Sequence, residues 1–369
     1  MNIINISESI STIAGGLQFS VRNFAEALAQ EGNNVTLIYG KDQGTVSAIP
    51  ANSMHKELPL DFIGRGRGRV FHRFRRQLDE RKPDLIIQHG MWSPFVAQIT
   101  SYSKSRNVPF AICPHGMLDP YIWNKNRRLK ALALFLYQAK NLKAAKFIRA
   151  LNNAEAKHVQ LVSALPIIVA PNGLDRSEIP DMADVAKSEE TICFLGRIDH
   201  KKGVLELIEG WQLALKAGEI PANARLRIAG WGSDQEYHDR CAQACGSTNS
   251  IEMLPALFGI DKWQFLQSAG GFILPSRGEG LPTTILEAWA AKAVVIMTRE
   301  CNFDEEVMAR TAIETACNPE AIAASLKLYF ELTPAQRLAY MNAGTQELNT
   351  YTWKSAAQRF LGGVQSAAI

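Results

Sequence analysis

Several familiar signatures are missing from this chain, and each absence excludes something. Cysteine is sparse and scattered, with six residues at 113, 193, 241, 245, 301 and 317 and no CxxC pair. That pattern indicates neither a disulfide framework nor a zinc knuckle. Cys241 and Cys245 fall about one helical turn apart. The seven histidines include no HExxH, and no Asp-x-Asp element of the kind that holds a metal on a diphosphate occurs anywhere. No metal site is therefore predicted. There is no GxGxxG, so the dinucleotide fingerprint is absent. Long apolar runs are lacking as well: the longest, Ala131 to Tyr137, falls far short of the roughly 20 residues that span a bilayer. The first residues, Met1-Asn-Ile-Ile-Asn-Ile, have no basic stretch and no long apolar stretch of the signal-peptide type. They read as a first strand and place the protein in the cytoplasm.

What is present is ordinary globular material. The chain has 369 residues, 47% of them hydrophobic and 21% charged. That is enough for two cores of roughly 150 to 200 residues each. Charge is distributed unevenly: residues 1 to 170 carry 22 Lys and Arg against 11 Asp and Glu, and the remainder carries 18 against 25. A basic first half predicts an anionic partner for that half.

Along the chain, strands alternate with helices, the pattern of a parallel α/β sheet. Residues 2 to 6 read as a strand, Gly15 and Gly16 as a loop, and the amphipathic run Phe19, Val21, Phe24, Leu28 as a helix ending at Gly32. The two glycines form either a close backbone approach to a phosphate or sugar, or a plain surface loop. The basic run from Gly64 to Arg76 places Val70, Phe71 and Phe74 at helical spacing. Basic charge interleaved with aromatics fits a membrane surface or a solvated helix face, and no nucleic-acid module surrounds it. Strands near 84–88 and 108–113 deliver His89-Gly90 and His115-Gly116 to one carboxyl edge of a sheet, where ligands bind in open α/β folds. Residues 124 to 147 read as a long basic helix or helix pair with Leu129, Leu132, Leu136 and Tyr137 on one side. Packing of that side into the core explains most of the pattern, with docking onto anionic lipid as the other reading.

The second half repeats the logic. Residues 176 to 190 are acidic and lack apolar periodicity, so they read as an interdomain connection. A strand at 191–195 then leads into a loop with Arg197, Lys201 and Lys202, and a helix begins at Val204. Arginine offers a planar fork to phosphate oxygens and lysine a mobile point charge. A strand from 270 ends at Pro275, followed by a glycine-containing loop and a helix that place Glu279 and Glu287 eight residues apart. A loop entering a helix presents unpaired N–H groups, here near Leu281, Thr283 and Thr284, whereas Pro282 has none to offer.

In order along the chain, the paired glycines, Pro114-His-Gly-Met-Leu-Asp-Pro, Gly196-Arg-(x)4-Lys-Gly, the strand around Met253, Glu279-(x)7-Glu287 and the helix after Tyr351 resemble the retaining GT-B glycosyltransferases of family 4. The resemblance implies two Rossmann-like doubly wound parallel-sheet domains facing across a cleft. It divides the chain into an acceptor domain at 1–175, a linker at 176–190, a nucleotide-sugar domain at 191–350 and a helix at 351–369 returning to the first domain. It implies that Arg197 and Lys202 neutralise the donor diphosphate, that Glu287 grips the ribose, and that Glu279 lies beside the donor sugar. His115 approaches the sugar's hydroxymethyl side, and the backbone near Met253 lies by the nucleotide base. Without the resemblance, His115 reads as a histidine capping a strand end. The implied activity is metal-independent transfer of a sugar, from a UDP-sugar with a GDP-sugar as the alternative, to a glycan or polyprenyl-diphosphate-linked acceptor in surface polysaccharide assembly. Independently of the resemblance, the excess positive charge of the first half and its basic stretches at 64–76 and 124–147 suggest an anionic inner membrane surface as peripheral partner; nucleic acid is not one, and no cofactor is required. A nucleotide-sugar epimerase of the same fold and a non-catalytic partner of a transferase are the alternatives. One departure stands out: the family has Gly and Pro where this chain has Lys292 and Val294, and a non-glycine at a left-handed helix cap costs on the order of 1 kcal/mol.

Overall fold

The computed structural model describes residues 1–10, 16–40, 53–60, 67–180, 185–246 and 248–367. Gly15, the basic residues 64–66 and part of the 176–190 stretch lie outside them, as do the side chains of residues 67–72, Val70 and Phe71 among them. The chain forms two compact units, Met1–Gly173 with Trp353–Ile369, and Leu174–Thr352.

The first unit is built on a seven-stranded parallel sheet of β1 (Asn2–Ser7), β2 (Asn34–Gly40), β3 (Lys56–Leu60), β4 (Leu85–His89), β5 (Phe110–Cys113), β6 (Phe147–Ala150) and β7 (Ile167–Val169). Their spatial order is β3-β2-β1-β4-β5-β6-β7. β1, β4 and β5 are almost uniformly buried, as a sheet covered on both faces requires, with apolar cores and the polar residues Asn5, Ser7, Gln88 and His89 toward the carboxyl ends of β1 and β4. Sequence order reverses between β1 and β4, where Ser7 pairs with His89, and His89 pairs onward with Cys113 of β5. On one face, the helix Trp353–Ala367 packs into the core with the helix Gly16–Gln30: Phe360 meets Phe24 edge to face at 5.5 Å and Phe147 at 6.4 Å.

The basic stretch after residue 120 departs from the sequence expectation. In place of one long helix there are short segments at Pro120–Asn124 and Arg127–Ala133, a π-helical turn at Leu134–Gln138, and a helix at Ala139–Ala144. Phe147, expected at the helix end, begins β6. The expected burial of Leu129, Leu132 and Leu136 is overturned, because all three are exposed, at 66%, 53% and 55%. The physical reason is visible on the opposite face. Gln138 and Asn141 are fully buried and tied to Gln88, Thr100 and the Trp92 backbone, so an amide network occupies the side that meets the protein.

The second unit carries a six-stranded parallel sheet of β8 (Ser188–Arg197), β9 (Arg225–Trp231), β10 (Ile251–Leu254), β11 (Ala269–Leu274), β12 (Val294–Thr298) and β13 (Ala312–Thr315), ordered β10-β9-β8-β11-β12-β13. β8 starts three residues before the expected 191, on a polar Ser-Glu-Glu segment that pairs with Ala269 across an irregularity in register. Sequence order reverses between β8 and β11, so this crevice lies beyond Arg197 and Leu274. The helix Thr283–Ala290 ends with Lys292 at φ 55° in a left-handed cap. The missing glycine is compensated in place: the ammonium of Lys187 donates to the carbonyls of Ala269, Ala291 and Lys292, two of them at the helix end.

Candidate active site

In the second unit, two loops leave the switch point and lock together. Asp199 caps the short 3-10 turn His200–Lys202 by accepting the Lys202 N–H, which turns the chain back after β8. Gly203 follows at φ 68°, with the Pro275 carbonyl oxygen 2.4 Å and the Cys317 Sγ 2.5 Å from where a Cβ would stand, so only glycine fits. The loop after β11 then fastens onto this turn: the Arg277 N–H and the Ser276 hydroxyl both donate to the Lys201 carbonyl, and the Arg277 guanidinium donates to the His200 carbonyl and to Glu206.

That lock brings Lys202 Nζ to 2.6 Å from Glu279 Oε1, although the two residues are 77 apart in sequence. Burial raises the Glu279 pKa, but the charges of Lys202 and Lys201 and hydrogen bonds from Lys202 and Ser276 outweigh it, so the carboxyl sits below its ordinary value and is ionised. Its backbone is pinned as well, by the Glu300 carbonyl and the Asn302 side chain. Arg197 is half-exposed and lies 3.5 Å from Asp199. No side chain caps the start of the helix Thr283–Ala290 at Pro282; Leu281 and Pro282 are buried there and Thr283 and Thr284 are partly exposed. One turn along this helix, Glu287 Oε1 accepts from Lys262 Nζ at 2.7 Å. Met253 lies partly buried on the edge strand β10.

In the first unit, His115 follows β5 at φ 53° and Gly116 follows at φ 74°. Two successive left-handed residues need support, and the buried carboxylate of Glu155 supplies it by accepting the N–H groups of Gly116 (2.6 Å) and Leu151 (2.7 Å). His89 Nε2 lies 3.0 Å from Asn5 Oδ1, and His89 Nδ1 lies 2.8 Å from His115 Nε2. One ring donates and the other accepts across the His89–His115 contact, and the Asn5 amide at the far nitrogen of His89 sets which. Burial, His115 and Arg149 push the His89 pKa well below its usual value, and burial and Arg149 push that of His115 down to about 3. The pair is neutral.

Arg149 is itself fully buried, 3.7 Å over the Phe24 ring, and donates to the carbonyls of Ala170 and Pro171 and to Asn172. His89, Cys113 and His115 place one ligand atom each within 4.8 Å of one another, a grouping able to surround a metal. Its surroundings oppose a cation: both His89 nitrogens are engaged, burial pushes the Cys113 thiol up to about 12, and the Arg149 charge lies alongside. Gly16 opens its helix in an exposed position with nothing within 4 Å of an added Cβ.

The structure thus gathers Arg197, Lys202, Glu279, Leu281 to Thr284 and Glu287 around one switch point, and places His115 at the carboxyl edge of the other sheet. Asn5, Glu155 and Arg149 in the first unit, and Lys262 in the second, were not singled out from sequence. Each acts through a partner distant in the chain, and only Asn5, a polar residue within an otherwise apolar stretch of β1, left a local signal.

A model of the domain described as Glycosyltransferase Family 4 matches residues 14–178, and one described as Glycosyl transferases group 1 matches residues 175–346. The chain belongs to this glycosyltransferase family. The lipopolysaccharide 1,6-galactosyltransferase of Escherichia coli K12 is 24% identical over 306 residues, covering 78% of this chain and 77% of that one. Among solved structures, the Anabaena HepE protein in complex with UDP and glucose superposes with a TM-score of 0.81 at 14% identity, covering 99% of this chain and 100% of that one. A sucrose-phosphate synthase from Thermosynechococcus elongatus gives 0.80 at 17% identity, covering 100% and 99%. The glycosyltransferase has the GT-B fold, with one parallel-sheet unit of each of the two domain types.

Proposed function

We propose that this glycosyltransferase moves a sugar with retention from a nucleotide diphosphate sugar, specifically a UDP-sugar, to a glycan or polyprenyl-diphosphate-linked acceptor in surface polysaccharide biosynthesis, without a metal. The observation that carries the donor assignment is the Lys202–Glu279 contact of 2.6 Å at the switch point of the second sheet, with Arg197 at the end of β8 in the same crevice. An ionised Glu279 holds the Lys202 ammonium where the diphosphate would lie, and Arg197 adds a planar pair of donors. Both cations, with the N–H groups at the start of the helix Thr283–Ala290, stabilise the charge that grows on the leaving diphosphate. They take the part that a metal plays elsewhere.

Glu287 is assigned to the ribose hydroxyls, Met253 to the side of the base, and His115 to the donor sugar, where its Nδ1 hydrogen-bonds a hydroxyl. No side chain in the second-unit site is placed as a covalent nucleophile, so retention follows from attack on the face that the leaving phosphate vacates, with that phosphate accepting the acceptor's proton. UDP is supported by the nucleotide bound in the Anabaena HepE structure, and a surface glycan by the similarity to the lipopolysaccharide 1,6-galactosyltransferase of Escherichia coli.

The test is incubation with a panel of nucleotide sugars in the presence of chelator, read by nucleotide release, product mass and the anomeric coupling of the product. Release from a UDP-sugar with an unchanged anomeric configuration supports the reading. Loss of activity with chelator, or inversion, overturns the corresponding part.

A further inference from the structure

The helical stretch from Arg127 to Gln138 is built inside out. Its protein-facing side contains the fully buried amides of Gln138 and, one turn on, Asn141. Its outward side displays Leu129, Leu132, Phe135 and Leu136, with Phe135 81% exposed. The spacing of these four puts them on one helical stripe. An apolar stripe of this size facing outward marks an interaction site, because the chain could have turned it inward.

The charges around the stripe say what it meets. Residues 120 to 154 contain no Asp or Glu. Lys125, Arg127, Arg128, Lys140 and Lys143 are exposed, and none of them is paired with a carboxylate among the described residues. Lys130 is used differently: its ammonium donates to the carbonyls of Ile122 and Lys125 and fastens the turn that sets the stripe's direction.

We propose that this ridge is a membrane-docking element that sinks Leu129, Leu132, Phe135 and Leu136 into the headgroup boundary of an anionic bilayer while the flanking lysines and arginines bind lipid phosphates. A protruding apolar stripe needs a soft medium that closes around it, and unpaired cations on its flanks need anions on both sides; an anionic lipid surface supplies both. A second copy of the chain fits poorly, since a two-fold contact through the ridge sets five unpaired cations against their own equivalents. Among the described residues no helix is long and apolar enough to cross a membrane, so the attachment is a surface one. The proposal does not depend on which donor or acceptor the enzyme uses.

Flotation of the full chain with vesicles of equal parts phosphatidylglycerol and phosphatidylcholine, against phosphatidylcholine alone, tests it. The wild type is expected to float with the anionic vesicles at low salt and much less with the neutral ones. Leu132→Ser with Phe135→Ser should weaken partition at least about tenfold. Arg127→Glu with Arg128→Glu should weaken it about fivefold for each positive charge removed. All four positions are exposed, so melting temperatures should match the wild type and separate lost docking from lost folding. Phe135→Trp should show indole fluorescence quenched by brominated phosphatidylglycerol. Failure of the wild type to float overturns the proposal, as does wild-type flotation by the Leu132/Phe135 variant. Wild-type self-association abolished by that same variant identifies the ridge as a contact between copies and also overturns it.

Discussion

Lys202 and Glu279 meet at 2.6 Å although 77 residues separate them, and the contact exists because Gly203 lets the loop after β8 lie against the Pro275 carbonyl. A charged hydrogen bond of this kind contributes about 1.5 to 3 kcal/mol, so Lys202→Ala and Glu279→Gln should each lower turnover by roughly 10- to 150-fold. Because the two act as one unit, the double variant should lose little more than the worse single one. Steady-state rates of all four proteins decide this, and strictly multiplicative losses would refute the coupling.

Glu287 should separate from Glu279 in its kinetics. On the proposed assignment of Glu287 to the ribose, a contact made before and during reaction, Glu287→Gln should weaken nucleotide binding roughly 10-fold or more and leave turnover at saturating donor close to wild type. Lys262→Ala should do the same more mildly, since it only orients the carboxylate at 2.7 Å. Calorimetric titration with UDP measures both, and wild-type affinity in Glu287→Gln would remove it from the nucleotide site.

Acid stability should report the buried imidazoles. His89 and His115 have depressed pKa values in the fold, His115 at about 3, while the unfolded chain protonates near 6.5. Between those limits the unfolded state binds more protons, so stability rises with pH there and falls as pH drops below about 6.5. The loss is about 1.4 kcal/mol per pH unit for each neutral imidazole. The groups facing the pair are Arg149, Cys113 and Asn5, none of which supplies a compensating negative charge. Denaturant titrations at a series of pH values should show a slope that flattens in His89→Gln; an unchanged slope would mean that other groups carry it.

Gly203→Ala should damage the fold and the site together. A Cβ at φ 68° and 2.4 Å from the Pro275 oxygen forces the two loops apart, which costs about 1 kcal/mol for the backbone and a further 1 to 3 kcal/mol for the clash. The melting temperature should drop, and UDP affinity should fall beyond what the stability loss explains. Gly16→Ala, with nothing within 4 Å of the added atom, is the control expected to melt like the wild type.

The alternation of apolar strands with amphipathic helices was legible because strands such as Phe110–Cys113 and Val294–Thr298 are buried on both faces and are written almost entirely in apolar residues. Arg197, Lys202, Glu279 and Glu287 could be placed from sequence because each sits at a strand end, in the loop just beyond one or on the first turns of a helix, where local order betrays position. Lys262 and Arg149 were not, since what makes them matter is a partner brought in by the sheet. The stretch 124–147 misled for a different reason: a helical stripe of leucines looks the same in sequence whether it faces a core or the outside, and the amides that decide it, Gln138 and Asn141, do not announce that they are buried.

The helix Trp353–Ala367 belongs to the core of the unit that begins at Met1, and this sets a timetable for synthesis. As the chain leaves the ribosome, residues 1–173 are present but lack Trp353, Ala357 and Phe360, so the side of the sheet that carries Phe24 and Phe147 stays open to water. At ordinary translation rates, the stretch of residues 174–352 takes on the order of ten to forty seconds to appear. The second unit has all its strands within that interval and can close while the first is still waiting. Translation therefore runs the order of maturation backwards, and the half made first is the half completed last.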